Sequence, residues 1–250
     1  MLRILYFLYF WVIVAPVFVL ATILTALTVI VGCMLGGERF FSFYPGMLWS
    51  KLACYLALCR IDVRGREHLG EKQSYVFVSN HQSAFDIFLI YGFLGVPFKW
   101  MMKVGLLKIP LVGAACRAIG SIFVDNSSPL AAKRIIAEAK SRLKNGVSLI
   151  AFPEGSRTKN GKMGRFRKGI FKVAIDMHLP IVPVTLNGPF KVMPRGRINV
   201  YPHRMEMVIH PPVFADESIS TDMKDLQHLA NEVKEVIASA LWDEFKADKM

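Results

Sequence analysis

At 250 residues the chain has room for one catalytic body and an appendage, and its 53% hydrophobic share is high because apolar residues gather at one end. A net charge of +12 admits nucleic acid, an anionic membrane surface or small phosphorylated substrates as counterparts. The sequence carries no Gly-x-Ser-x-Gly elbow, no His-Glu-x-x-His metal site, no Gly-x-x-x-x-Gly-Lys-Ser/Thr phosphate loop and no recognised nucleic-acid motif.

From Ile4 to Leu35 there is no charged residue, a run longer than the roughly 20 residues that cross a bilayer core. A cleaved signal has an apolar centre of only about 7 to 15 residues, so the segment reads as a retained membrane helix. Pro16 predicts a kink, and Gly32, Gly36 and Gly37 a stop. About 30 helical residues measure about 45 Å, an excess that demands tilt or a segment that dips into one leaflet and returns. A second apolar stretch, Pro45 to Leu58, carries Trp49 and Lys51 as an interfacial helix does. Residues 1–59 are therefore expected to form a membrane-associated helical element and 60–250 a catalytic domain. Arg39, Lys51, Arg60, Arg64 and Arg66 follow the apolar run, against Arg3 and the terminal amine before it. That bias puts the body on the cytoplasmic side of the membrane, the inner membrane in a bacterium. Cys33, Cys54, Cys59 and Cys116 show no Cys-x-x-Cys spacing and read as buried thiols.

The body opens with a short strand at 61–65, then a buried strand, Tyr75-Val76-Phe77-Val78, and a helix from about Ala84 to Phe93 that Ser83 is placed to cap. Lys99 to Lys103 precedes a loop and helix near Ile109-Pro110, and Ser121 to Asp125 reads as a strand. The 129–144 segment is an amphipathic helix, with Leu130, Ile135, Ala139 and Leu143 on one face, a Glu138–Arg142 pair and a stop at Asn145-Gly146. A strand at 148–152, a helix from Gly169 to about His178 and a strand at 181–186 follow. Pro183 assigns that last strand a bulge or an edge position. A hairpin is expected from 198–201 and 204–210. The C-terminal helix, 222–245, aligns Met223, Leu226, Ala230, Val233, Ile237 and Leu241 for packing on the body. Strands alternating with amphipathic helices define an α/β domain with a mixed sheet flanked by helices.

Polar groups cluster after the apolar strands: His81 and Asp86, Asp125, Glu154 to Arg157, and Asn187-Gly188. Ligands of α/β sheets bind at such strand ends. A His-x-x-x-x-Asp spacing across a strand-to-helix turn brings a carboxylate back to the imidazole and makes an oriented base. Six histidines let the spacing arise by chance, and Glu154-Gly155 or Arg157 alone equally describes a turn and a solvated charge. The loop 157–168, with Arg157, Lys159, Lys162, Arg165, Arg167 and Lys168 around Phe166, is either solvated or a contact for lipid head groups or the phosphates of a substrate.

Taken together, Asn80-His81-Gln82-Ser83-Ala84-Phe85-Asp86, Gly120 to Asp125, Phe152-Pro153-Glu154-Gly155-Ser156-Arg157-Thr158 and Ile181-Val182-Pro183-Val184 resemble, in order, the blocks of the glycerolipid acyltransferases, specifically the 1-acylglycerol-3-phosphate acyltransferases. The resemblance covers roughly residues 60–190 and implies a glycerol-3-phosphate acyltransferase-like fold. It implies transfer of an acyl chain from acyl-coenzyme A or acyl-carrier protein to the sn-2 hydroxyl of lysophosphatidic acid, with membrane lipids as surroundings. His81 and Asp86 are then catalytic, while Glu154, Gly155, Ser156, Arg157, Thr158 and Lys103 bind the acceptor. No metal, resident cofactor or nucleic acid is expected. Two departures stand out: Gly105 where the family has a glutamate, and Asn126 where it has a basic residue. They keep another lysophospholipid or glycerol 3-phosphate open as acceptor. A noncatalytic basic membrane-surface or nucleic-acid-binding module is the competing reading from another class.

Overall fold

The computed structural model describes residues 2–124, 135, 137–139, 141–143, 146–214 and 222–246. The chain begins with α1 (Leu2–Tyr9), a π turn (Phe10–Val14) and α2 (Ala15–Met34), which run on without a break. Pro16 sits just after the π turn. The wider turn takes up the backbone bond that its ring cannot make. The helix stops where the glycines predicted: Gly36 is left-handed at φ +85°, and the Gly37 N–H closes on Gly32 O at 3.0 Å. Over Ile4–Met34 the run is long and apolar enough to cross a membrane, with a mean hydropathy of 2.6. Most of its large side chains are exposed.

A short helix, α3 (Glu38–Phe41), leads to α4 (Tyr44–Leu56). The Trp49 indole N–H donates to Thr22 Oγ1 at 2.9 Å, and its ring stacks on Phe18. The second expected apolar helix thus forms and packs on the first. It also packs on the body: Gly46 lies against the Tyr91 ring so closely that a Cβ would stand 2.5 Å from it.

Seven strands form one sheet in the order β1-β7-β6-β2-β5-β3-β4, with β1 Arg60–Arg64, β2 Val76–Ser79, β3 Phe98–Lys103, β4 Ile122–Val124, β5 Ser148–Ala151, β6 Ile181–Asn187 and β7 Arg204–Ile209. All neighbours are parallel except β6 and β7, so the sheet is mixed as expected. Alternation along β2 sends Phe77 to one core layer and Val76 and Val78 to the other. The Phe77 layer holds α5 (Phe85–Phe93), Cys54 of α4 and Val29 of α2. The opposite layer holds the helices Gly169–Asp176 and Met223–Ser239.

Four expectations need correction. Lys99 to Lys103 belongs to a strand, β3, which the sequence reading had left unassigned. Residues 198–203 form no strand, and β7 pairs with β1 and β6 instead of closing a local hairpin. Pro183 lies on an interior strand and not at an edge; the bulge it predicted is real and falls opposite it. Pro183 O accepts from His210 N–H while Ile181 pairs with Val213, so Val182 faces both Pro211 and Pro212. Because β7 has ended at Ile209, the missing Pro183 N–H breaks no ladder. Finally, the C-terminal helix ends at Ser239 and leaves Met223 68% exposed, although Leu226, Ala230, Val233, Ile237 and Leu241 are buried as predicted.

Asp125 and Asn126 lie outside the described residues, as do Leu130, Asn145 and much of the 129–144 segment. Within it, Ala139 and Leu143 are buried and the Glu138–Arg142 pair closes at 3.1 Å.

Candidate active site

The parallel strands β2, β5 and β6 end at the same edge of the sheet, and the site is built there. Asn80 continues β2 with its side chain. Its Nδ2 donates to Leu186 O at 2.9 Å and its Oδ1 accepts the Leu186 N–H at 2.8 Å, so the amide pairs with β6 as a strand residue would. The chain is thereby held to the sheet up to the residue before His81.

After His81 the backbone folds over Asp86, in the first turn of α5. Asp86 Oδ2 accepts from His81 Nδ1 at 2.7 Å, from Gln82 N–H at 2.6 Å and from Ser83 N–H at 2.7 Å. Asp86 is fully buried, whereas the His81 side chain keeps 15% exposure. Three donors converging on one buried oxygen fix the Nδ1–H tautomer and leave Nε2 as the free base. Ala84, not Ser83, is the N-cap residue of α5; Ser83, one residue earlier, still braces the helix start, its Oγ accepting the Phe85 N–H at 3.1 Å and donating to Met193 O at 2.7 Å. The imidazole lies flat on Phe152 with centroids 3.9 Å apart and planes 10° apart. Ring position is therefore set by a face contact and a hydrogen bond together.

The block after β5 divides between positioning and lining. Glu154 turns back into the protein, where Oε1 accepts the His81 N–H at 2.7 Å and Oε2 the Gly164 N–H at 2.8 Å. Burial raises its pKa above the ordinary carboxylate value, and these two donors oppose that rise. The Thr158 N–H donates to His81 O at 2.9 Å, while its hydroxyl turns to Asn160. Both residues hold His81 in place. Gly155, Ser156 and Arg157 line the cavity beside His81, as does Lys103 at the end of β3. Gly155 has φ +71° and the Arg167 guanidinium packs on its open face, where a Cβ would stand 3.0 Å from Nε.

That cavity holds about 740 Å³ and runs from His81 and Phe152 to Thr25, Ala26 and Val29 of α2 and Trp49 of α4. Its lining is mostly aliphatic and aromatic, with Lys103, Arg157, Arg167 and Arg195 among the strand-end residues. Among the described residues, none of these four forms an ion pair. An apolar hollow with unpaired cations at the His81 edge suits an amphiphile with an anionic head. Arg195 escaped sequence reasoning. It belongs to a distant loop, brought in by the Ser83–Pro194 bridge and by its own bond to Arg157 O at 2.7 Å. Phe152 belongs to the block that contains Glu154, but its stacking on His81 has no sequence signal.

The chain is similar to proteins already known. The chain is 32% identical over 183 residues to a chloroplast 1-acyl-sn-glycerol-3-phosphate acyltransferase of Brassica napus, covering 72% of this chain and 53% of that one. It is 34% identical over 173 residues to the 1-acyl-sn-glycerol-3-phosphate acyltransferase of Pseudomonas aeruginosa, covering 67% and 66%. The chain thus spans about half the length of the chloroplast relative. The crystal structure of the 1-acyl-sn-glycerophosphate acyltransferase PlsC from Thermotoga maritima superposes with a TM-score of 0.74 at 26% identity, over 96% of this chain and 97% of that one. A family model described as Acyltransferase matches residues 60–187, from β1 through the His81 turn and the Glu154 loop to the end of β6, and on that match the chain belongs to the acyltransferase family.

Proposed function

We propose that the protein transfers a fatty acyl chain from a phosphopantetheine thioester, acyl-coenzyme A or acyl-carrier protein, to the sn-2 hydroxyl of 1-acyl-sn-glycerol 3-phosphate, giving phosphatidic acid. The observation that carries this reading is the 2.7 Å His81–Asp86 contact at the wall of a cavity that joins unpaired cations to an apolar interior.

In this reading the acceptor's phosphate is held by Arg157, whose planar fork suits phosphate oxygens, and by Lys103. Ser156, beside them, adds a hydroxyl. His81 Nε2 takes the proton of the sn-2 hydroxyl as its oxygen attacks the thioester carbonyl carbon. The Asp86 carboxylate stays ionised and stabilises the imidazolium. When the tetrahedral intermediate collapses, the carbon–sulfur bond breaks and the imidazolium returns its proton to the departing thiolate. No protein nucleophile is needed, because the thioester is already activated. The apolar cavity takes the lipid chains. Its wall from α2 and α4 supports membrane attachment of the N-terminal helices, and the basic residues that follow the apolar run favour a body on the cytoplasmic side.

The test is turnover of purified enzyme with 1-acylglycerol 3-phosphate and a long-chain acyl-coenzyme A, following thiol release and lipid product. Wild type should make phosphatidic acid and His81→Ala none. Equal product from both refutes the role of His81. Product with glycerol 3-phosphate but not with the lysolipid moves the acceptor assignment.

A further inference from the structure

A second hollow, of about 420 Å³, adjoins the first and shares Arg167 with it; Glu154, Arg165, Phe166, Lys168 and Gln227 complete its lining. We infer that this hollow binds the phosphate of the acyl donor's 4′-phosphopantetheine, the portion that coenzyme A and carrier protein have in common. The inference rests on the acyl-transfer reading and names where its donor is held.

The hollow is built and charged. Phe166 is 2% exposed and anchors the loop in the core, so the flanking Arg165 and Arg167 stay at the surface. The Arg167 N–H is pinned to Pro153 O at 3.0 Å, Arg165 Nη2 donates to Gln227 Oε1 at 3.2 Å, and Lys168 Nζ donates to Met223 O at 2.8 Å. Three cations therefore face one carboxylate, Glu154, whose oxygens already take two backbone N–H groups. Among the described residues none of the three cations is in an ion pair. Three cations held only by neutral acceptors, with charge to spare, are prepared for an anion.

Position selects which anion. The lysolipid phosphate has Arg157 and Lys103 beside His81. The second hollow instead belongs to the core layer of Phe166, Leu226 and Leu229, on the face of the sheet opposite the layer that contains Val29 of α2 and Cys54 of α4. The layer is covered by the helices Gly169–Asp176 and Met223–Ser239 and not by α2 or α4, a position that suits a water-borne donor better than a bilayer head group. Arg167 touches both hollows, so a ligand can place its thioester in one and its phosphate in the other.

The test compares S-palmitoyl-4′-phosphopantetheine with S-palmitoylpantetheine, which differ only in that phosphate. Wild type should prefer the phosphorylated thioester by about tenfold or more in kcat/KM. The Arg165→Gln/Lys168→Gln double variant should lose the preference through a higher KM for the phosphorylated thioester, with unchanged kinetics on the unphosphorylated one and an unchanged KM for the lysolipid. Palmitoyl-coenzyme A and palmitoyl-carrier protein, run in parallel, show which source the enzyme uses by whose KM rises. Wild-type turnover without a phosphate preference, or a variant that retains it, overturns this site alone. Equal loss on both thioesters shows that the two side chains only staple the loop, and also overturns it. Absence of turnover with every thioester refutes the acyl-transfer reading itself.

Discussion

Asp86→Asn is the sharpest test of the proposed base, because the structure dictates how the asparagine must sit. Asp86 Oδ2 receives three donors, while Oδ1 is buried without a partner. An amide nitrogen in the Oδ2 position would confront all three, so the asparagine oxygen takes that place and the NH₂ takes the empty one. His81 then keeps its Nδ1–H tautomer and loses only the charge that stabilises its protonated form. Two unit charges about 4 Å apart interact by about 4 kcal/mol at an effective dielectric constant near 20, which corresponds to about a thousandfold in rate. The stranded NH₂ costs about 1–3 kcal/mol of stability. The expected variant is therefore folded, melts a few degrees lower, binds the lysolipid with an unchanged KM and has kcat lowered about 10³-fold. Thiol release with 1-acylglycerol 3-phosphate and acyl-coenzyme A, beside a circular-dichroism melt, measures both. A variant with the lowered melting temperature but kcat within tenfold of wild type refutes the argument that the Asp86 charge supports the transition state.

Arg157→Ala should raise KM for the phosphorylated acceptor about tenfold or more and leave KM for the donor little changed; equal effects on both substrates would count against a head-group role. Ala115→Trp puts a large ring into the cavity wall, so kcat/KM for 16-carbon donors should fall several-fold relative to 8-carbon donors, a ratio that competition between the two reads directly; a constant ratio would remove the lipid chains from this cavity. Lys99 is buried, with Nζ bonded to Ile119 O at 2.6 Å and Ser42 Oγ at 3.2 Å, and burial lowers its pKa from 10.5. The unfolded chain then binds more protons than the folded one. The Lys99 contribution to stability is full above 10.5 and declines as pH falls through the lowered value. Wild type should gain stability relative to Lys99→Met as pH rises from the lowered value towards 10.5, and a melting-temperature difference that does not change with pH would show that burial leaves this amine unperturbed.

The parts of this fold that were legible in the sequence are those whose signal is local. Val76 to Ser79 and Ile181 to Asn187 are buried on both faces and so appear as continuous apolar runs. The C-terminal helix shows its buried stripe because one face meets the sheet and the other meets water. Strand β3 has no such signature: Lys99 is buried inside it, held by groups on α3, its following turn and the end of α6 (Val112–Ala118), and a charged residue interrupts the apolar pattern. The failed hairpin has the same origin. Residues 204–209 do alternate as a strand, but their partners are β1 and β6, and local spacing carries no information about a crossover.

The site divides along the same line. His81 and Asp86 were legible because the turn that joins them is five residues of sequence. Arg195 was not, since its place depends on a contact with residue 157. Glu154 is the instructive case. Its neighbourhood marked it as a group for the acceptor, yet its two oxygens clasp one backbone N–H beside the imidazole and another in the basic loop. A half-buried carboxylate whose two oxygens each hold a backbone N–H fixes the distance between those two segments. The Arg165–Lys168 surface and the His81 base are consequently held in one frame, and an error in either placement would be transmitted through the same side chain to the other.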